Sequence, residues 1–200
     1  MLKLGLTGSI ATGKTTVLNA IAALGVPTFS SDEAVHRLYD GGAAVEPVGE
    51  AFPGVVVDNR IDRSRLSTQL LQAPERLREL EAIVHPLVRA EIRKFLAEAE
   101  EGGAPLAVVD IPLLYENGVD WGFDAVIVTA VDEAEQRRRA LARPGMSVEK
   151  LDAILARQLP QAEKIRRADH VIDTSGTIAE TGNQVRALIA ALQDKAKTGQ

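Results

Sequence analysis

Gly8-Ser9-Ile10-Ala11-Thr12-Gly13-Lys14-Thr15 fits the pattern GxxxxGK[ST] at every specified position, and its flanks say how the segment is held. Before it, Lys3-Leu4-Gly5-Leu6-Thr7 is a short apolar run stopped by a glycine, which predicts a buried strand. After it, Val17, Leu18, Ile21 and Leu24 recur at helical spacing from Thr15 to Leu24, and Gly25 is placed to end the helix. Strand, glycine-bearing loop and helix in that order let successive backbone amides curl round a phosphate, with the positive end of the helix behind them. Residues Gly8, Ser9, Ile10, Ala11, Thr12, Gly13, Lys14, Thr15 and Thr16 are therefore expected to bind a nucleoside triphosphate, ATP in the first instance. Lys14 would reach its β- and γ-phosphates and the Thr15 hydroxyl would hold Mg2+. Kinases, switches and motors share such a loop, so it does not choose among them.

The rest of the chain supplies an α/β frame. Val26-Pro27-Thr28-Phe29 predicts a second strand, with Ser31 or Asp32 capping a helix over Glu33 to Tyr39. Continuous apolar runs at Leu106 to Ile111 and Ala125 to Val131 suit a parallel sheet covered on both faces, and a short fifth strand is expected at His170 to Asp173. The expected architecture is a five-stranded parallel sheet with helices on both faces and ligands at the carboxyl ends of the strands. Between the second and third strands, Pro74 to Glu101 places Leu77, Leu80, Ile83, Val84, Leu87, Val88, Ile92 and Leu96 on one helical face, with Pro86 expected to break or kink it. Gly41 to Arg60 reads as mostly loop, Arg137 to Arg167 as two helical patterns parted by Arg143-Pro144-Gly145, and Asp194 to Gln200 as a fraying tail.

At 200 residues, one domain with a small insert is the default. A net charge of −5 gives a field that repels DNA or RNA, so no nucleic-acid partner is expected and any anion must be captured locally. The absence of cysteine removes disulfides, thiolate metal sites and thiol nucleophiles together. No run approaches the roughly 18 apolar residues of a membrane span and the amino terminus lacks a signal-peptide core; a cytoplasmic protein without membrane partners is expected, as monomer or small homo-oligomer.

Several separated motifs resemble those of the bacterial dephospho-coenzyme A kinases. They are LTGSIATGKTTV from Leu6, SSDEAVHR from Ser30, Ile83-Val84-His85-Pro86-Leu87, Asp110-Ile111-Pro112-Leu113-Leu114-Tyr115-Glu116, Arg157-Gln158 and Ala168-Asp169-His170-Val171-Ile172-Asp173. The resemblance implies the P-loop NTP hydrolase fold, like that of nucleoside monophosphate kinases. It further implies one domain over 1–200, with a helical acceptor-binding insert at 60–104 and a lid at 137–160. The implied reaction is transfer from MgATP to the 3′-hydroxyl of dephospho-coenzyme A. By resemblance Asp32 positions that hydroxyl, a role a carboxylate can combine with taking its proton, and His85, Leu114, Tyr115 and Glu116 line the acceptor pocket. Two positions depart from the family. Ser30-Ser31-Asp32 stands where D-A-D is usual, and Ala11 replaces a frequent glycine, for which a conformation open to alanine is expected.

Each candidate has a plainer alternative. Asp32 could simply cap the following helix. Asp110, ending an apolar strand, could hold the Mg2+ shell through water or merely enter the turn at Pro112. Arg143, at the Pro144-Gly145 break, is the choice for neutralising charge on the transferred phosphoryl group, whereas Arg137, Arg138 and Arg139 read as a solvated helix face with at most one pointing inward. His85 could be a structural residue, and His36 and His170 have no metal-ligand partners at useful spacing. Another small-molecule acceptor, or a nucleotide-dependent switch, remains open, although neither N-K-x-D nor LSGGQ occurs.

Overall fold

Residues 1–198 are described by a computed structural model. They form two compact units, one of Met1–Phe29 with the residues from Glu98 onward, the other of Ser30–Ala97. The chain runs β1 (Leu2–Gly8), α1 (Lys14–Ala22), β2 (Thr28–Ser30), α2 (Ser31–Tyr39), α3 (Val45–Ala51), β3 (Val56–Val57), β4 (Arg60–Ile61), α4 (Arg63–Gln72) and, after a 3₁₀ turn, α5 (Leu77–Glu101). It continues with β5 (Leu106–Asp110), β6 (Ala125–Ala130), α6 (Glu133–Leu141), α7 (Val148–Leu155), α8 (Gln161–Arg167), β7 (His170–Asp173) and α9 (Ile178–Thr198).

In the first unit the strands lie in the order β2-β5-β1-β6-β7, with β1 central and parallel to both neighbours. Every residue of β5 is buried, as a strand covered on both faces must be. Leu4 and Leu6 of β1 meet Val17 and Ile21 of α1 and Val185, Ile189 and Leu192 of α9 in one apolar core, while Leu114 and Phe123 occupy the opposite side, over Gly5. The pleat thus sends alternate residues to two helix-covered faces. Registers pairing Leu6 with Asp110, Gly8 with Thr129 and Ala130 with Asp173 bring the carboxyl ends of β1, β5, β6 and β7 to one edge.

In the second unit three expectations are corrected. The cap of α2 is Ser30, whose hydroxyl accepts from the Glu33 amide at 3.4 Å; Ser31 and Asp32 lie inside the first turn. The span 41–60 is not mostly loop. Val45, Val48 and Phe52, all buried, carry a helical repeat through α3, and Pro47 is tolerated because it sits in the first turn, where its missing amide has no intrahelical partner. Strands β3 and β4 then form a hairpin whose two turn residues, Asp58 and Asn59, have φ of 49° and 59°, the twist a two-residue turn needs. Finally, α5 continues unbroken through Pro86 for 25 residues. Burial of Leu80, Val84, Val88 and Ile92 on both sides of the proline holds the helix across the carbonyl that loses its donor. In the first unit the expected fraying tail is helical through Thr198, and residues 199–200 lie outside the described part.

Candidate active site

The loop after β1 is shaped by contacts that only small residues permit. A Cβ on Gly8 would stand 2.1 Å from Thr129 Oγ1, so β1 and β6 close up only with glycine there. Gly13, at φ 79°, forms the N-cap of α1 without any side-chain cap, which leaves the first-turn amides of the helix open at the loop. The Thr12 hydroxyl donates to Ser9 O at 2.8 Å and shares a 2.7 Å hydrogen bond with Thr129 Oγ1. Thr174, just past β7, donates to Thr12 O at 2.9 Å. Ser9 Oγ is buried inside the loop without a hydrogen-bond partner among the described residues.

Ala11 has φ 62°, so the expectation of a conformation natural to alanine is overturned. The left-handed side costs a residue with a Cβ about 1–2 kcal/mol. Here the methyl is buried with Ala140 and Leu151, flanked by Ile10, Met146 and Leu155, and that packing offsets the strain. Lys14 Nζ lies 2.5 and 2.6 Å from the two carboxylate oxygens of Asp110, which is buried at the end of β5. Asp110 is therefore more than a turn residue: it meets the loop's lysine at the edge where the open amides gather.

Beside the loop opens a cavity of about 480 Å³ whose lining includes Ala11, Gly13, Arg138, Arg139, Arg143 and Ile178. Of Arg137 to Arg139, half-buried Arg139 is the one that turns toward Thr174, whereas Arg138 borders the cavity with an exposed side chain. Arg139 donates to Thr174 O at 2.7 Å and to Glu135 Oε1 at 2.7 Å; Arg138 grips both oxygens of Glu135 at 2.6 Å. Hydrogen bonds from Arg138 first and Arg139 second hold the Glu135 carboxyl at a pKa of about 2. One carboxylate against three guanidinium groups leaves this wall cationic although the chain as a whole is anionic.

The dephospho-CoA kinase family model matches residues 2–180 of the chain. The dephospho-CoA kinase of Rhodopseudomonas palustris (strain BisB18) is 52% identical over 188 residues, covering 94% of each chain. The chain belongs to the dephospho-CoA kinase family. Its fold agrees with a solved protein from Thermus thermophilus at TM-score 0.80 and 34% identity, over 96% of this chain and 97% of that one. It also agrees with the dephospho-CoA kinase from Campylobacter jejuni at TM-score 0.70 and 25% identity, again over 96% and 97%. Membership across nearly the whole length favours acceptor phosphorylation over a switch.

The residues that the resemblance to dephospho-CoA kinases assigned to the acceptor fall in both units. Asp32 is exposed in the first turn of α2 and His85 is half-buried on α5, both in the second unit. Leu114 is buried over Gly5. The Tyr115 ring has the Arg167 guanidinium 5.9 Å from its centre, at the amino end of β7 and away from Thr174; burial first and Asp169 second push its hydroxyl pKa up against the pull of Arg167. Glu116 Oε1 accepts from the Leu159 amide at 2.8 Å and lies 2.7 Å from the fully buried Lys164 ammonium, an ion pair and not an aligned hydrogen bond. Tyr115 and Glu116 anchor the 111–124 segment to α8. The sequence reading missed Thr174 and Arg139. The AD-x-VID segment ends one residue before Thr174 and was the available signal for it; nothing local separates Arg139 from its neighbours.

Proposed function

We propose that the family reaction, ATP + dephospho-CoA → ADP + CoA, proceeds on this chain by direct in-line transfer with no covalent enzyme intermediate. The acceptor 3′-oxygen attacks the γ-phosphorus, the bond to the β–γ bridging oxygen breaks, and ADP leaves. The observation that carries this is the Lys14–Asp110 contact within a loop of open amides beside a cationic cavity. The inward-facing amides of the Gly8–Thr16 loop hold the triphosphate, Lys14 leaves Asp110 for the β- and γ-oxygens, and the cavity takes the nucleoside. Asp32, two residues past β2 and relieved of capping by Ser30, orients the acceptor hydroxyl and takes its proton. Arg143, exposed on the cavity rim between α6 and α7, neutralises developing charge on closure of the 137–160 lid. Residues 60–104, with His85, form the acceptor-binding insert, and Leu114, Tyr115 and Glu116 support its pocket through the segment they anchor.

Among the described residues no group of three or more His, Cys, Asp or Glu side chains could cage a metal. The Thr15 hydroxyl and the Asp110 carboxylate at the end of β5 are hard oxygen donors of the kind that fit Mg2+, which takes one or two protein oxygens and completes its shell with substrate phosphates and water. Thr15 would hold it directly and Asp110 through water; when bound it neutralises charge on the β- and γ-phosphates. No helix among the described residues is long and apolar enough to cross a membrane, and the cysteine-free chain suits the cytoplasm.

A panel of alcohols offered with ATP and Mg2+, scored by mass spectrometry for one added phosphate, should single out dephospho-CoA. In the same assay Asp32→Asn should retain ATP affinity while kcat falls by about 100-fold or more. Normal turnover by that variant would remove Asp32 from the mechanism.

A further inference from the structure

Ile10 stands in the middle of the phosphate loop, and both of its backbone groups are taken by side chains from far along the chain. Its amide donates to Gln158 Oε1 at 3.0 Å, and its carbonyl accepts from Gln136 Nε2 at 2.8 Å. Gln136 is buried on α6, and Gln158 is half-buried between α7 and α8. The apolar partners agree with the polar ones, since Ile10 and Ala11 pack with Ala140 of α6 and with Leu151 and Leu155 of α7. Arg137 and Asp152 tie α6 to α7 at 2.9 Å. The outer side of the loop is thus built into the base of the arginine-bearing segment.

We infer that Gln136 and Gln158 are positioning residues for phosphoryl transfer, setting which way the Ile10 peptide groups face. A loop that binds triphosphate must turn its amides inward and its carbonyls outward, because a carbonyl oxygen facing phosphate repels it. The Ala11 amide and the Ile10 carbonyl share one peptide plane, so a donor that holds that carbonyl outward turns the Ala11 amide toward the opposite side. Gln136 supplies that donor. Gln158 supplies the acceptor for the Ile10 amide, and without it the peptide between Ser9 and Ile10 is held only at its carbonyl, by Thr12. Because Gln136 precedes Arg143 and Gln158 follows it, the segment carrying that arginine is fastened to the loop at both ends, and its movement starts from a fixed base.

The inference rests on reading Gly8 to Thr15 as the phosphate loop. Gln136→Met and Gln158→Met keep the length of the side chain and delete its hydrogen bonds. Steady-state kinetics varying ATP and dephospho-CoA separately, melting temperature, and amide exchange of Ile10 followed by NMR form the test. For both variants KM for ATP should rise by about 10-fold or more while KM for dephospho-CoA stays within about two-fold. In Gln158→Met the Ile10 amide should exchange about 10-fold faster, with the β1 and β6 amides unchanged. Gln158→Glu keeps an acceptor oxygen and should restore slow Ile10 exchange whatever its charge does to ATP binding. Gln136→Glu, which at neutral pH has no donor, should not restore the KM for ATP. If Gln136→Met does not fold, half-buried Gln158 decides the matter alone. ATP kinetics within about two-fold of the parent, or both KM values rising together with a falling melting temperature, would overturn the inference. A parent chain that neither bound ATP nor phosphorylated dephospho-CoA would instead overturn the phosphate-loop reading itself.

Discussion

Ala11 shows two opposed single-residue effects meeting at one position. Its φ of 62° is unfavourable for any residue with a Cβ, and its methyl is among the atoms that join the loop to α6 and α7. Ala11→Gly removes the strain together with the packing, so the urea midpoint should report a change within about 1 kcal/mol. Ala11→Val adds a β-branched side chain at positive φ in a filled site and should cost about 2 kcal/mol or more by the same measurement. Lys14 needs a different assay. Since its ammonium faces the buried Asp110 carboxylate, Lys14→Ala removes an ion pair as well as a phosphate contact. Its kcat/KM for ATP should fall by about 1000-fold or more, measured beside a melting curve that separates misfolding from lost catalysis.

At the scale of the element, α6 carries an electrostatic device. Arg138 and Arg139, three and four residues after Glu135, both bond to it, and its carboxyl is held at about 2 against an ordinary 4.5. A depressed carboxylate pKa contributes stability that is complete above about 4.5 and is lost as pH falls toward 2. The stability lead of the parent over Glu135→Gln, read from urea midpoints, should therefore be present at about pH 6 and shrink between about pH 4.5 and 2. A lead that grew on acidification would contradict this origin. The end of β7 holds a second tie, because the Thr174 hydroxyl bonds Thr12 O while accepting from Arg139. Thr174→Val keeps the shape and leaves the Thr12 carbonyl without that donor, at an expected cost of about 1–3 kcal/mol in thermal unfolding.

Across the whole molecule, the 111–124 segment is secured by charge inside a dry environment. Lys164 is fully buried against Glu116, whose Oε2 has no partner among the described residues. Removing one member leaves the other uncompensated, so Lys164→Met should cost about 3–5 kcal/mol in urea unfolding. Lys164→Met combined with Glu116→Met should cost less than the single change, since apolar groups of similar volume can replace a buried pair. Equal losses in the two variants would mean that packing, not charge, holds the segment. At the same scale a net charge of −5 coexists with a cationic cavity wall, so the local field is a property of placement, not of composition.

How much of this was readable follows from how far each signal travels along the chain. The strand–loop–helix unit was legible because pattern, periodicity and glycine placement all lie within the first 25 residues. The buried strands at Leu106 and Ala125 were legible because a sheet covered on both faces demands unbroken apolar runs. Local rules failed where two applied at once: Pro47 and Gly49 disguised α3, Asp58-Asn59 made a hairpin without glycine, and Pro86 sits in a helix that burial holds together. The sequence by itself determined the phosphate loop, the parallel sheet and the family. Only the tertiary structure decided that Arg139 faces Thr174, that Asp110 meets Lys14, that Glu116 serves Lys164, and that glutamines 126 and 148 positions away orient Ile10. The first set depends on contacts between near neighbours, which periodicity records. The second depends on which distant side chain fills a given direction in space, and residue order does not encode that locally.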